Sequence, residues 1–285
     1  MIVVTGATGQ LGRLVIEQLL VRIPAGQIIA ALRSPDKAAD LSALGVQVRH
    51  ADYSQPATLD SAFAGAEKVL LISSSEIGQR LSQHKAVIDA AKRAGAKLLA
   101  YTSVLHADAS SLGLAKEHRE TEDYLRASGL SFALLRNGWY TENYTAGIPG
   151  ALAHGAMMGC ADEGRISSAS RLDYAEAAAV VLTSEEDQSG RVYELAGDES
   201  YTLAEFATEL SKQSGKPVPY ANLTQTGFEA ALIQAGLPDF VANLLADSDA
   251  AAAKGALFDD SRQLSRLIGR PATPLVKTIE EALRG

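Results

Sequence analysis

The sequence has little of what marks secreted, membrane-spanning or nucleic-acid-binding proteins. Cys160 is the only cysteine, so no intrachain disulfide can form and nothing indicates an oxidising compartment. No apolar stretch is long enough for a membrane span, and Met1 leads directly into the first predicted strand, so no targeting segment is expected. The formal net charge of −8 argues against binding to nucleic acid or to anionic membranes. We therefore expect a cytoplasmic protein.

Metal-ligand spacing is also missing, because the five histidines and the single cysteine form no recognisable cluster. The sequence shows no repeat, no low-complexity tract and no long linker. What it does have is 47% hydrophobic residues in a chain of 285. That is enough to bury a large core, in one big domain or in a domain with a lobe.

Apolar strands alternate with helical patterns through the first half of the chain. Strands that are apolar throughout, each followed by a helix, indicate a parallel sheet covered on both faces. Right-handed connections then make it a doubly wound α/β sheet of the Rossmann type, which binds ligands beyond the carboxyl ends of its strands. The predicted strands are 2–4, 27–33, 46–48, 68–72, 97–102 and 131–136, and helices follow near 35–44, 56–64, 77–94 and 114–128.

From about residue 138 the chain leaves this pattern, and it returns with a strand at 191–195. We expect a Rossmann domain at 1–137, rejoined by about 166–200, and a smaller, mostly helical substrate lobe from about 138–165 and 201–285. The first three helices predicted after residue 200 are introduced by Thr202, Thr224 and Pro238. These later helices are predicted at roughly 203–214, 225–235, 239–254, 260–268 and 274–284.

Glycines mark the turn between the first strand and the first helix, in the run Thr5-Gly-Ala-Thr-Gly-Gln-Leu-Gly12. Such a turn needs residues without Cβ where the backbone bends, where a pyrophosphate approaches the main chain, and where helix packs on strand. The N-terminus of the following helix also attracts the anion. The spacing differs from the standard G-x-G-x-x-G fingerprint. It predicts a dinucleotide site, with a purely structural turn as the alternative.

Arg33 ends the second strand and bears on the choice of dinucleotide. An acidic residue there would bind the ribose 2′-OH, whereas an arginine suits a 2′-phosphate, so Arg33 favours NADP(H). A solvated surface charge is the alternative for Arg33. Asp36 could be the ribose acid, but Ser34 and Pro35 are typical of an N-cap and first position of a helix, whose dipole Asp36 would complement.

Three further strand ends carry candidate contacts. Asp52-Tyr53 stands where such folds approach the adenine, with an ordinary helix cap near Pro56 as the alternative. The run Ser73-Ser74-Ser75 would admit a cofactor close to the backbone and offer hydroxyls, as would a plain loop. The segment 137–144 holds the only tryptophan and two of the nine tyrosines, which predicts a wall for a flat ligand or a cap over the core.

Together these features resemble the NmrA-like, atypical branch of the short-chain dehydrogenase/reductase superfamily. Within that branch they resemble the type 2 group of bacterial NAD(P)H:quinone oxidoreductases and, more distantly, triphenylmethane reductase. The likeness runs nearly end to end, and its more specific parts are the serine run and the Asn-Gly-Trp-Tyr loop. It rests on 5–12, Arg33, 71–80 and 135–144, and it includes 245–249 and 255–260.

The resemblance implies an NADPH site whose residues come from five segments. Ser170 and Asp173 also resemble a helix capping box, so a structural role for them is the alternative. The implied contacts are Gly6, Ala7, Thr8, Gly9, Gln10, Leu11, Arg33, Ser73, Ser74, Ser75, Asn137, Gly138, Trp139, Tyr140, Thr141, Glu142, Ala169, Ser170, Arg171, Leu172 and Asp173.

One feature of the superfamily is missing: no tyrosine is followed by lysine four residues on. In typical members that lysine lowers the pKa of the tyrosine, which then protonates a new alkoxide. Lys116 and His118 are the candidate proton donors here, although His118 shares a helix stripe with apolar residues and a structural role is the alternative. Hydride addition to a quinone leaves a phenolate with a pKa near ~10, which solvent can protonate.

The sequence therefore predicts an NADPH-dependent reductase that passes hydride to quinones or similar electron-poor aromatic acceptors. Trp139 and Tyr140 would form a wall of the acceptor site, and the protein would be a monomer or homodimer. A redox-sensing NmrA-type regulator that binds the dinucleotide without turnover is the alternative from another class. A reductase of dyes or enones is the third.

Overall fold

The computed structural model describes residues 1–284 and contains a seven-stranded sheet in the order β3-β2-β1-β4-β5-β6-β8. A second, two-stranded sheet pairs β7 with β9. The strands are β1 Ile2–Thr5, β2 Ile28–Leu32, β3 Gln47–His50, β4 Lys68–Leu71, β5 Leu98–Val104, β6 Phe132–Asn137, β7 Met157–Gly159, β8 Arg191–Leu195 and β9 Tyr220–Asn222.

Thirteen helices lie within the described residues. They are α1 Gln10–Leu20, α2 Ala39–Ala43, α3 Pro56–Ala62, α4 Arg80–Arg93, α5 Ala115–Ala127, α6 Glu142–Thr145, α7 Ile148–His154, α8 Arg171–Thr183, α9 Leu203–Ser214, α10 Gln225–Gln234, α11 Asp239–Ala252, α12 Gln263–Ile268 and α13 Leu275–Arg284. Within residues 1–284, none of these helices has both the length and the apolar character that a membrane crossing requires.

The order of the strands changes direction between β1 and β4: from β1 the chain adds β2 and β3 on one side of the sheet, and then β4, β5 and β6 on the other. Parallel pairing joins β1 to β2 and β2 to β3 on one side, and β1 to β4, β4 to β5 and β5 to β6 on the other. A doubly wound sheet opens a crevice at this reversal, beyond the carboxyl ends of its strands, where ligands bind. The predicted Rossmann-type fold is therefore confirmed.

The strands owe their continuous apolar character to burial on both faces. All residues of β1, β2 and β5 are buried, so the usual alternation of apolar and polar positions is absent. Phe63 and Tyr101 are fully buried in the core cluster that contains the β1 residue Val3. The polar exceptions concentrate at the strand ends, where Thr5 and Thr102 are buried.

The chain forms two compact units. The first comprises Met1–Ala107, Lys116–Asn137 and Arg171–Tyr193. The second comprises Asp108–Ala115, Gly138–Ser170 and the chain from Glu194 onward. The stretch 166–200, expected to rejoin the sheet domain, is thus divided between the units. The assignment of cofactor and substrate binding to separate domains stays a prediction.

Several predicted helix boundaries are wrong, and left-handed backbone positions explain two of them. The helix expected at 77–94 begins at Arg80, because Gly78 has φ +85°. The helix expected at 260–268 begins at Gln263, after Arg262 with φ +54°. The expected helix 35–44 is instead a 3-10 turn, Pro35–Ala38, followed by α2, and Ser34 makes no side-chain cap.

Other signals for helix starts are confirmed. Thr202 Oγ1 accepts a hydrogen bond from Glu205 N at 3.1 Å, while the Glu205 carboxylate accepts one from Thr202 N at 2.8 Å. This reciprocal capping box begins α9. Thr224 Oγ1 likewise accepts from Gly227 N and begins α10.

Candidate functional site

The turn between β1 and α1 is shaped for close approach to the backbone. Gly6 has φ +60°, which favours glycine. A Cβ on Gly12 would lie 2.4 Å from Gly6 O and 2.9 Å from the Cα of Ala7, so any side chain there would push α1 off the turn. Gly9 precedes the helix without a side-chain cap. The first N–H groups of α1 can therefore bind an external anion such as a pyrophosphate.

Thr5, the last residue of β1, links three strands at the point where the strand order changes direction. Its Oγ1 donates to Leu70 O at 2.9 Å, accepts from Ile72 N at 3.1 Å and lies 2.5 Å from the hydroxyl of Tyr53. Burial raises the pKa of Tyr53, which keeps this hydroxyl protonated. The ends of β1 and β4 and the residues after β3 are thereby held in fixed positions. Contact of Tyr53 with an adenine stays a prediction.

Asp52, the other residue considered for the adenine, organises its own turn. One carboxylate oxygen accepts from Ser54 N at 2.9 Å and the other from Gln55 Nε2 at 3.0 Å. Helix α3 begins at Pro56 without a side-chain cap. Asp52 therefore stabilises an Asx-type turn before α3.

Arg33 lies at the tip of β2, 67% exposed, and it is already paired. Its Nη1 donates to Glu76 Oε1 at 2.8 Å. The second oxygen of Glu76 accepts from Gln83 Nε2 at 2.7 Å. Arg33 is therefore directed toward the segment that follows β4, and it is not a freely solvated charge.

That segment, residues 72–79 between β4 and α4, is here called the serine segment. Side chains from elsewhere in the first unit hold its backbone. Ser73 N donates to Thr102 Oγ1 at 2.9 Å, and Ser74 N donates to His84 Nε2 at 2.9 Å. Arg80 Nε donates to Ser74 O at 2.8 Å. Side chains therefore hold the N–H of Ser73 and both the N–H and the carbonyl of Ser74.

His84 is the anchor of the serine segment, and sequence reasoning did not single it out. Its Nδ1 lies 3.0 Å from Thr121 Oγ1, whose own proton goes to Glu117 O at 2.8 Å. The proton on the ring therefore belongs to Nδ1, and Nε2 is left to accept from Ser74 N. Burial, assisted by the positive charge of Arg80, lowers the pKa of His84 to about 3. His84 is neutral at physiological pH.

Asn137, at the end of β6, presents a buried polar atom with no partner. The residue is 5% exposed, and within residues 1–284 its Oδ1 has no hydrogen-bond partner. Leaving a buried acceptor unsatisfied costs about 1–3 kcal/mol. Together with the glycine cradle after β1, this orphan acceptor fits a bound dinucleotide.

In the second unit, the residues that follow β6 pair with another predicted segment. Residues 138–145, here called the aromatic segment, begin with Gly138 N donating to Leu195 O at 2.7 Å. Ala169 N donates to Trp139 O at 3.1 Å, and Thr141 N donates to Ala169 O at 3.0 Å. The structure therefore brings together the predicted residues around 138–142 and 169–170.

The side chains of this pairing are mostly buried. Trp139 is 8% exposed and Tyr140 is half-buried. Thr141 Oγ1 lies 2.8 Å from Ser168 Oγ, which lies 2.6 Å from the hydroxyl of Tyr201. The predicted residues Arg171, Leu172 and Asp173 begin α8 in the first unit.

Tyr144, at the far end of the aromatic segment, is tied to a buried carboxylate. Its hydroxyl donates to Asp249 Oδ1 at 3.0 Å, and Cys160 N donates to Oδ2 at 3.0 Å. Burial raises the pKa of Asp249 to about 6 against the opposing effect of these bonds. Burial also raises the pKa of the Cys160 thiol to about 12, so this cysteine is not reactive. Asp249 was part of the family resemblance but had no predicted role.

The two predicted proton donors occupy unlike places. His118 is 5% exposed, and its Nδ1 lies 2.7 Å from the hydroxyl of Tyr101. Burial holds the pKa of His118 well below its usual value, so it carries no acidic proton at neutral pH. The Lys116 side chain is 76% exposed, with Nζ 3.9 Å from Glu120. This geometry favours a structural role for His118 and a solvated side chain for Lys116. The catalytic roles of both residues stay predictions.

Comparisons with known proteins agree on one group. A family model described as NAD(P)H-binding matches residues 6–185. The chain is 58% identical to Quinone oxidoreductase 2 of Escherichia coli (strain K12) over 279 residues, 98% of this chain and 97% of that protein. A crystal structure of the NADPH-dependent quinone oxidoreductase from Escherichia coli complexed with NADPH superposes with TM-score 0.97, at 57% identity over 99% of this chain and all of that one. Triphenylmethane reductase of Citrobacter sp. complexed with NADP(H) gives 0.95 at 39% identity, over 99% and 100% of the two chains.

Proposed function

The chain belongs to the NmrA-like NAD(P)H-binding family, and we propose that it is an NADPH-dependent reductase that transfers hydride to quinones. The resemblance predicted from its residues is confirmed. The observation that carries the proposal is its near full-length likeness to a quinone oxidoreductase whose structure holds NADPH.

The first unit supplies the groups that would hold NADPH. Backbone N–H groups of the turn from Gly6 to Leu11 would bind the pyrophosphate, and Arg33 would bind the 2′-phosphate. The serine segment would contact the cofactor, and the orphan oxygen of Asn137 would accept a hydrogen bond from it. The cofactor supplies the hydride, whereas the protein supplies position and a dry environment.

Trp139 and Tyr140 of the second unit form a wall of the acceptor site. Their backbone is fixed by the pairing with Ala169, so the rings are presented without further ordering of the loop. Neither His118 nor any Tyr-x-x-x-Lys pair provides an acid, and solvent protonates the phenolate. The protein acts in the cytoplasm as a monomer or homodimer, which light scattering on the purified chain distinguishes.

The test is an NADPH-oxidation screen of the purified protein against quinones, triphenylmethane dyes, enones and ketones, with NADH run in parallel. We expect turnover with quinones and none with simple ketones, because a ketone would leave a strongly basic alkoxide that needs an acid. Tight NADPH binding with no turnover of any acceptor would contradict the proposal and indicate a redox sensor.

A further inference from the structure

We propose that Glu76 sets the preference between NADPH and NADH, by competing with the 2′-phosphate for Arg33. The inference rests on the proposed function, since it takes Arg33 as the residue that meets position 2′ of the adenosine ribose. The choice between NADPH and NADH would then depend on two residues: Arg33 at the tip of β2 and the acidic Glu76 after β4.

Glu76 is held in place independently of Arg33. Its Oε2 accepts from Gln83 Nε2 at 2.7 Å, and Gln83 is 5% exposed on α4. Its backbone N–H donates to Ser74 Oγ at 3.2 Å, within the segment that His84 anchors. The carboxylate therefore stays beside Arg33 and does not swing away freely into solvent when an anion arrives.

Charge makes this position unfavourable for a 2′-phosphate. A phosphate monoester carries a charge of about −1.5 to −2 at neutral pH. To reach the guanidinium it must approach a carboxylate whose oxygen is 2.8 Å from the same Arg33 Nη1. A guanidinium has five N–H donors and can serve two anions, so NADPH still binds. It binds against the repulsion of Glu76.

The same carboxylate is favourable for NADH. In dinucleotide folds an acidic residue at the tip of the second strand accepts a hydrogen bond from the ribose 2′-OH. The Glu76 carboxylate reaches that tip from the segment after β4, since it lies 2.8 Å from Arg33 Nη1, and it can accept the same bond. Arg33, already neutralised by Glu76, then imposes no cost for an unmatched positive charge. Glu76 therefore weakens NADPH, strengthens NADH and brings the two affinities closer together.

The experiment compares Glu76→Gln with Glu67→Gln. Glu67 is an exposed acid that pairs with Lys97 and with the N-terminal amine, and it precedes β4 whereas Glu76 follows it. Both variants lose one negative charge from the first unit, but at opposite ends of a strand. Dissociation constants are measured by titration with NADPH, NADH, 2′,5′-ADP and 5′-AMP, none of which requires turnover.

We expect Glu76→Gln to bind NADPH and 2′,5′-ADP about two- to fivefold more tightly, as suits an exposed charge pair. It should bind NADH somewhat more weakly, and Glu67→Gln should match the parent. Weaker NADPH binding by Glu76→Gln would mean that Glu76 orients Arg33 for the phosphate, and an unchanged NADPH/NADH ratio would mean that it has no part in the choice. Either result overturns the inference.

Arg33→Ala separates this inference from the proposed function. If Arg33→Ala leaves NADPH affinity unchanged, the assignment of the 2′-phosphate to Arg33 fails. If Arg33→Ala weakens NADPH but Glu76→Gln does not alter the NADPH/NADH ratio, only the role of Glu76 fails. Raised salt should shrink the effect of Glu76→Gln, since exposed charges are screened.

Discussion

The serine segment after β4 and the aromatic segment after β6 are both predicted ligand contacts, yet they are held by opposite means. Side chains fix the backbone of the serine segment, chiefly through the bond from Ser74 N to His84 Nε2. Backbone pairing between Trp139 and Ala169 fixes the aromatic segment. Substitutions near the first should therefore disturb the shape of the loop, whereas truncations in the second should remove a ring and leave the loop in place.

The two segments also differ in the buried titratable residue that holds each one: a histidine for the serine segment and an aspartate for the aromatic segment. His84 is a base whose burial lowers its pKa to about 3, and Asp249 is an acid whose burial raises its pKa to about 6. Burial disfavours the charged form of each side chain, so a fall in pH destabilises the native state through His84 and stabilises it through Asp249. In whole-chain measurements the two contributions oppose each other, and single variants are needed to separate them.

The largest effect is expected at His84. The unfolded histidine binds a proton below about pH 6.5, whereas the folded one does so only near pH 3, so native stability is lost as pH falls through this window. Between pH 6.5 and 3.5 the loss amounts to about 4 kcal/mol. Urea unfolding of His84→Gln, which cannot titrate, should show a correspondingly weaker acid dependence. The exposed His50 provides the control in His50→Gln, and an identical slope for parent and His84→Gln would contradict the burial argument.

Asp249 should show the opposite sign at nearly the same size. Its folded pKa of about 6 exceeds the unfolded value of 3.8, so the native state binds the extra proton and loses stability as pH rises from about 4 to 6. The ionised carboxylate then costs about 3 kcal/mol at neutral pH. Asp249→Asn should flatten this part of the pH–stability curve, with Asp260→Asn as the exposed control. A curve that keeps its slope in Asp249→Asn would assign the effect to another group.

Trp139→Ala tests the claim that the aromatic segment serves turnover. Misplacing the reactants by small distances can cost about 10²-fold in rate, so quinone turnover should fall by about that factor. NADPH affinity should stay near the parent value, because Arg33 and the glycine turn lie in the first unit. Trp139→Phe keeps a ring and is the matched variant. Melting temperatures identify simple loss of packing, and a folded Trp139→Ala with parental turnover would remove Trp139 from the acceptor site.

Arg33→Ala should weaken NADPH by roughly tenfold to a hundredfold, since a charge-assisted bond is worth about 1.5–3 kcal/mol. NADH should be nearly unaffected. Arg93→Ala, which removes an exposed arginine paired with Asp60, is the control in titrations of both cofactors. Equal losses for NADPH and NADH would show that Arg33 supports the segment generally and does not bind the 2′-phosphate.

The smallest effect is expected for Lys116→Ala. General acid catalysis contributes about 10²–10⁴-fold, whereas an exposed lysine outside the reaction should change kcat for quinones by less than about twofold. Steady-state kinetics decide the matter, with Lys212→Ala, another exposed lysine near a glutamate, as the reference. A loss of two orders of magnitude in kcat would show that Lys116 donates the proton and would contradict protonation by solvent.

The sequence by itself determined the architecture and the places to look. Apolar runs such as 2–4 and 69–72 need cover on both faces of a sheet, and the parallel order of the strands then puts their carboxyl ends at one edge. The glycine spacing after β1 and Arg33 after β2 are local signals, because they depend on neighbours a few residues away. Helix starts at Thr202 and Thr224 are equally local and were predicted correctly.

Only the tertiary structure decided how those places are held and charged. The contact of His84 with Ser74, the pairing of Arg33 with Glu76 and the enclosure of Asp249 join residues far apart in the chain. Nothing in the spacing of His84, Glu76 and Asp249 distinguishes them from the other histidines and acids of the chain. The pKa values of His84 and Asp249, and the hydrogen bonds of all these residues, arise from burial and from partners across the fold, which exist only once the strands and helices have packed.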